Sequence, residues 1–415
     1  MKIITLKEEQ FDAYAKNHKY RNFYQSSAYG KVMEREGYMI HYLGIIDDME
    51  NLIGASLLLY KEVFMGYKIA YAPRGFLFDY SNSSLLKEFM NRLKRLLSKQ
   101  GFMSLKIDPF IPVCIRDYTG KIMNINAEAN LIVENLKGAN LIYHGQNLYF
   151  ETEKPRFEAL ITLNQDIKKI YQNFDKRTRH KIKKAIRSGV EVVLGTEKEL
   201  PIFYEFVKKK HSRTLTFYQN IYRFFHEDCN LYLAQLNTET FVISSKQLYE
   251  AELDRNDRLA REIQEQTGSQ SLKKRLINEK IESDKLVNIY KKDLVWATNL
   301  LKDYPNGLII GASLNLCYDK TATLFIEGFD SRFRALNPNY LLKWKMLDDY
   351  KRKDYKYFNL NAISGDFTDD NRYLGLNEMK LGFHPLITEY IGEFDFIINS
   401  LPYNLYKNLN KDKKK

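Results

Sequence analysis

Apolar residues recur along this chain at two spacings, and the succession of spacings occurs twice. In the first half, EEQFDAYAKNH has the period of an amphipathic helix, followed by NFYQSSAY (22–29) and a further helical stretch. Strand-like runs come next: MIHYLGII, LIGASLLLY (52–60) and KIAYAPRGFLF. SSLLKEFMNRLKRLLSKQ returns to the helical period, and FMSLKID closes the block as a short strand. The second half runs through ELPIFYEFVKKK, TFYQNIYR (216–223), NLYLAQL, IIGASLNLCY (309–318), TATLFIEGF, NPNYLLKWKMLDDYKRK and KYFNLN in the same order. This agreement predicts a duplicated α/β unit, with domains at 1–150 and 151–415.

The two FYQ motifs are 194 residues apart and the two IGAS motifs 257, so the second copy has gained 63 residues between them. The gain, residues 240–303, replaces the polar turn IDDMEN of the first copy. It is rich in Glu, Lys, Arg and Leu, with apolar residues at Leu248, Leu259, Ile263, Leu272, Leu276, Leu286 and Ile289. The spacing predicts two antiparallel helices of roughly 20–30 residues, a coiled-coil arm ~30–45 Å long. The break falls at Thr267-Gly268-Ser269, where a glycine can end a helix.

Composition narrows the class. With 415 residues, 44% of them hydrophobic, the chain can build a substantial core. MKIITLKEEQ turns charged at once, and the most apolar runs are about half the ~20 residues of a membrane span. Cys114, Cys229 and Cys317 are far apart, and the seven His show no HExxH context. A reducing cytoplasm, no metal and no cofactor are therefore expected. The net charge of +12 calls for an anionic partner. Nine Lys or Arg and one acid between Lys168 and Arg187 carry two-thirds of that excess.

Within this run FDKRTRHKIKKAIRSG predicts a helix capped by Asp175 and ended by Gly189. Ile182, Ala185 and Ile186 point one way, with Lys176, Arg179, Lys183 and Arg187 on adjacent faces. Charge alone fits a solvated surface helix as well as a phosphate-binding face; the scarcity of interleaved acid favours the second. Three further residues have chemistry to offer. Arg74, bracketed by Pro73 and Gly75, can fork onto a carboxylate or phosphate. Asp108 ends a strand before Pro109, where α/β folds present ligand-facing carboxylates. Lys380 precedes a Gly-Phe pair and a strand. Neither YAPRGFLFDYSNSS nor EGFDSRFRALNPN has the glycine series that cradles a pyrophosphate, which argues against coenzyme A as donor.

NFYQSSAYGKV, YAPRGFLFD, LKIDPF, KRTRHKIKKAIRSGVEV and EMKLGF…TEYIGEFD together resemble the Fem-type aminoacyltransferases, in the family's order over nearly the whole chain. The resemblance implies two acetyltransferase-like domains, the second carrying a coiled-coil arm. It implies a tRNA-dependent enzyme that moves glycine, alanine or serine from aminoacyl-tRNA to the stem-peptide side-chain amine of lipid II or its UDP-linked precursor. Such an enzyme works at the inner face of the membrane, as a monomer or weak oligomer. By the same likeness Lys380 stabilises the oxyanion and Asp108 orients the attacking amine. Arg213, in HSRTLTFY, binds the precursor's diphosphate, with Arg74, Lys31, Phe217 and Tyr218 as further substrate contacts. Phe217 stands where some members have Tyr, and Met33 where some have Lys. Lys176, Arg177, Arg179, Lys183, Lys184 and Arg187 would hold tRNA. The competing readings are a non-catalytic tRNA or RNA binder, a transferase acting on protein N-termini, and a coiled-coil scaffold.

Overall fold

The computed structural model describes residues 1–411 apart from Thr267. Two mixed sheets form its frame. The duplication is visible in their pairing. In the first sheet Met39–Ile46 and Tyr67–Ala72 flank Leu52–Phe64 in antiparallel fashion, and Tyr67–Ala72 then pairs in parallel with Phe102–Ile107. In the second, Cys229–Leu236 and Thr321–Phe329 flank Leu308–Tyr318, and Thr321–Phe329 runs parallel to Tyr357–Ala362. Each parallel crossover is a helix, Ser83–Lys99 or Pro338–Arg352.

The copies differ where the parallel strands meet. In the first, pairing continues from Lys68 opposite Phe102 to Ala72 opposite Ile107. In the second it stops after Thr323 opposite Asn359, and the strands diverge. The resulting wedge holds the polar groups described below.

The sheets also exchange strands. Pro112–Arg116, early in the chain, pairs with Leu386–Tyr390 in the second sheet and brings Ile122–Ile125 with it. Phe394–Ile397, late in the chain, lies between Phe102–Ile107 and Leu141–Tyr143 in the first. A boundary at residue 150 is therefore crossed in both directions. Strands of four or five residues have no pattern that selects a sheet edge; the open edges of Phe102–Ile107 and Leu386–Tyr390 take them in.

One apolar cluster fills each sheet's helix-covered side, and a third lies between the copies. There Phe23 and Phe217, the first residues of the two FYQ segments, share a neighbour: Phe23 packs 6.1 Å from both Phe225 and Phe325, and Phe217 lies 6.4 Å from Phe325. The repeated motif is thus a packing device between the halves.

The inserted arm is a pair of helices, Thr238–Glu265 and Gln270–Asp303, of 28 and 34 residues. At 1.5 Å per residue they extend about 42 and 51 Å, the first within the length that the sequence pattern predicts and the second beyond it. Leu259 and Leu276 are buried between them, but Ile289 is half exposed. Polar groups share the seam. Buried Asn256 donates to Ser283 Oγ (3.1 Å) and Asp284 Oδ1 (2.9 Å), and Ser283 donates to Glu252 (2.7 Å). A buried polar layer of this kind fixes the register of two helices. Of the three break residues, Thr267 lies outside the described residues.

The basic helix spans Lys176–Arg187. Thr178, Ile182 and Ala185 form its buried row, whereas Ile186 is half exposed. Asp175 occupies the position before the first turn without capping it; its carboxylate meets His384 Nε2 at 2.8 Å. Gly189 ends the helix at φ 79°, and a Cβ there would meet Asn237 O at 2.9 Å.

Candidate active site

Arg74 sits where a strand end, a neighbouring strand and the second sheet converge. After Ala72 the chain turns through Pro73, and Arg74 takes the left-handed backbone, φ 54°. Two groups hold this turn. Gln25 donates to Pro73 O (2.7 Å) and accepts from Leu57 N (2.8 Å); Asp108 accepts from Arg74 N at 2.7 Å. The Arg74 side chain, 2% exposed, then crosses to the second half. Its Nη2 donates to Pro155 O and to Glu158 Oε1, both at 2.7 Å. Burial opposes the guanidinium charge, but Glu158 and Asp108 outweigh it and raise its pKa.

Asp108 follows strand Phe102–Ile107 and is buried. Burial pushes its carboxyl up to about 6, with Arg74 and Lys154 pulling the other way. Its Oδ2 has no hydrogen-bond partner among the described residues. Lys154 is a residue that no motif flagged. It stands over the Tyr24 and Tyr29 rings at 4.1 and 5.6 Å. Burial opposes its charge, but the two phenols and Asp108 more than compensate, and its pKa is raised.

Glu158 is the shared node, also unmarked in the sequence. Its second oxygen accepts from Asn359 Nδ2 (2.8 Å) and Tyr390 OH (3.3 Å). Glu158, Asn359 and Tyr390 line a cavity of about 370 Å³ between the halves. Asn22, Phe23 and Tyr24 close it from the first half, and Lys320 and Asn361 from the second.

Lys380, on helix Leu374–Leu381, approaches from the wedge. It is 6% exposed, and its Nζ donates to Leu360 O (2.7 Å) and Ala362 O (2.6 Å). Asn359 and Asn361, on the same strand, line the cavity. Burial pushes the Lys380 ammonium down to about 7; Glu327 and Glu158 act against that, and Lys343 with it. Lys343 is itself fully buried and bonds both oxygens of Glu327 at 2.5 Å. Lys380 and Asp108 are thus both coupled to Glu158, Asp108 through Arg74 and Lys380 through its charge, but of these four residues Glu158 alone lines the cavity.

The remaining candidates are spread more widely. Arg213 is exposed, 3.7 Å from Glu36 and stacked 4.7 Å from the Phe217 ring. Lys31 is half exposed and pairs with Glu8 at 2.5 Å. Phe217 and Tyr218 are buried in the cluster between the halves, and neither lines the cavity. On the basic helix Lys176, Arg177, Lys183 and Arg187 are exposed, and Arg179 and Lys184 are half buried. None of the six has a carboxylate within 4.0 Å among the described residues, although the chain forms many such pairs elsewhere.

A FemAB family profile matches residues 6–411. Aminoacyltransferase FemA of Staphylococcus epidermidis is 26% identical over 428 aligned residues, covering 100% of both chains. FemA of Staphylococcus aureus is 25% identical, covering 100% of this chain and 99% of its own. Among solved structures FemX aligns with a TM-score of 0.72 at 21% identity, covering 98% of this chain and 99% of that one. The chain belongs to the FemAB family and is an acyltransferase.

Proposed function

We propose that this enzyme transfers an aminoacyl group from aminoacyl-tRNA to the stem-peptide side-chain amine of lipid II or its UDP-linked precursor, building the peptidoglycan branch. The observation that carries the reading is the convergence of Lys380 and the Arg74–Asp108 pair on Glu158 at a cavity between the halves.

The amine nitrogen attacks the ester carbonyl carbon. A C–N bond forms, the carbonyl oxygen becomes an oxyanion, and the bond to the ribose oxygen then breaks. Lys380, poised near neutrality, places an ammonium against the developing charge, a contact worth most in a dry site. Asp108, with its carboxyl near 6, orients the amine and receives its proton at physiological pH. That proton ends on the departing ribose oxygen. Arg74 holds the Asp108 loop and Glu158 in register, and Lys154 adds a positive charge behind Tyr24, which lines the cavity. Arg213, supported by the Phe217 ring, and Lys31 would meet the diphosphate of the acceptor. Tyr218 would act through that same packing.

The uncompensated cations of the basic helix suit a nucleic-acid backbone, which they would grip without reading sequence. The arm lies beside this helix: Lys184 is close enough to Asp293 on the second arm helix to favour its charged form. Incubating the enzyme with charged tRNAs and lipid II, and reading product mass, tests the proposal. Transfer to the stem amine is expected; transfer to a peptide N-terminus instead, or none with any charged tRNA, overturns it.

A further inference from the structure

The last described helix, Ser400–Lys411, presents two faces. Pro402, Tyr403 and Tyr406 turn inward: Tyr403 OH donates to Asp395 and Tyr406 packs near Phe64. Leu401, Leu405 and Leu409, four residues apart, turn outward and are 73%, 50% and 52% exposed. This is an apolar stripe, not the scatter of single residues that any surface has. Beside it stands the tip of the Leu52–Phe64 hairpin, where Met65 is 81% exposed. Phe64, next to Met65, is the residue that touches Tyr406.

The surroundings are cationic. The helix contains no acidic residue, and Lys407 is exposed on it. Lys94, Arg95 and Lys99 are exposed on helix Ser83–Lys99, whose Ser98 bonds Asn399 at the start of the last helix (3.2 Å). No helix among the described residues is long and apolar enough to cross a membrane. Outward leucines rimmed by lysines, on a short helix lying along the body, match the chemistry of the headgroup boundary of an anionic bilayer.

We propose that Leu401, Leu405 and Leu409, with Met65 and Lys407, form the surface by which the enzyme docks on anionic lipid. The leucines would enter the headgroup boundary and the cations meet lipid phosphates. This deepens the reading of a lipid-linked acceptor and rests on it only for its purpose, since vesicle binding is measured without donor or acceptor.

The full-length protein is sedimented with vesicles of phosphatidylglycerol and phosphatidylcholine, or of phosphatidylcholine alone. Binding is expected on the anionic vesicles, weaker by about tenfold or more on the neutral ones, and weakened by added salt. The triple variant Leu401→Gln, Leu405→Gln, Leu409→Gln should lose about tenfold or more, while keeping the melting profile and transfer to a water-soluble precursor. Lys407→Glu should reduce the preference for anionic vesicles. Leu131→Gln, at an exposed leucine on another helix, should change nothing. The proposal is overturned if the triple variant binds like the parent, if the parent does not distinguish the two vesicles, or if the parent binds neither. A parent dimer that the triple substitution dissolves, without vesicle binding, would assign the stripe to a second copy instead.

Discussion

Lys380→Met removes the ammonium but keeps a flexible chain of similar length in the wedge. In the parent, Nζ bonds Leu360 O and Ala362 O at 2.7 and 2.6 Å, and burial lowers its pKa from 10.5 to about 7. Two effects of opposite sign follow. Between those pH values the unfolded chain holds the proton and the folded chain does not, so this group makes stability rise with pH. One unit corresponds to 1.36 kcal/mol, which sets a ceiling on the order of 5 kcal/mol for the whole window. Transfer is expected to move the other way: the charge proposed to face the oxyanion is lost as pH rises through about 7, so the rate should fall. Losing such a group costs about 100- to 1000-fold in the chemical step. The assay pairs single-turnover transfer with urea melts across pH 6.5 to 9.5, a range chosen to bracket most of the shift. In the variant the rate should drop by that factor and the Lys380-dependent rise in stability should be absent, so the stability difference between the two proteins should change across the window. A variant that transfers at the parental rate, or a parent whose stability difference is flat across the window, refutes the assignment of Lys380 as a buried, shifted group at the reacting carbonyl.

Asp108→Asn should remove the acid limb of the pH–rate profile near 6 and lower the maximal rate, read from rates at saturating donor. Glu158→Gln leaves the buried Arg74 guanidinium short of its main counter-charge and should cost about 3–5 kcal/mol in a urea melt. Replacing Lys176, Arg177, Lys183 and Arg187 together by Gln should weaken tRNA binding for every sequence tested. It should also flatten the slope of log K against log salt by about 0.7–0.9 for each phosphate no longer neutralised, measured by filter binding. Asn256→Leu should leave the arm helical while loosening its register, seen as altered crosslinking between cysteines placed on the two arm helices.

The duplicated topology was legible because each copy has long strands and helices of clear period, and because FYQ and IGAS recur in equivalent places. Asp108 and Lys380 stood out by resemblance; their burial, and the charges that surround them, had no mark in the sequence. Other features left no trace. Glu158 and Lys154 are single charged residues in ordinary surroundings, and only the folding of distant strands places them against Arg74. Asn256 and Ser283 interrupt an apolar seam and look like surface positions until two helices face each other. Ile186 and Ile289 fit an apolar stripe by spacing yet remain half exposed, because packing buries a neighbouring row instead. Phe217 and Tyr218 resemble ligand contacts, but the meeting of the two halves covers them.

The exchanged strands bear on how the protein is made. Phe394–Ile397 supplies the pairing partner for both Phe102–Ile107 and Leu141–Tyr143, so the N-terminal half has an open sheet edge until residue 397 has left the ribosome. Neither half is a self-sufficient folding unit, and a nascent chain stalled before residue 390 carries an unpaired template for misassociation. Dividing the gene at the repeat boundary should therefore yield fragments that are insoluble singly and recover order only when co-expressed.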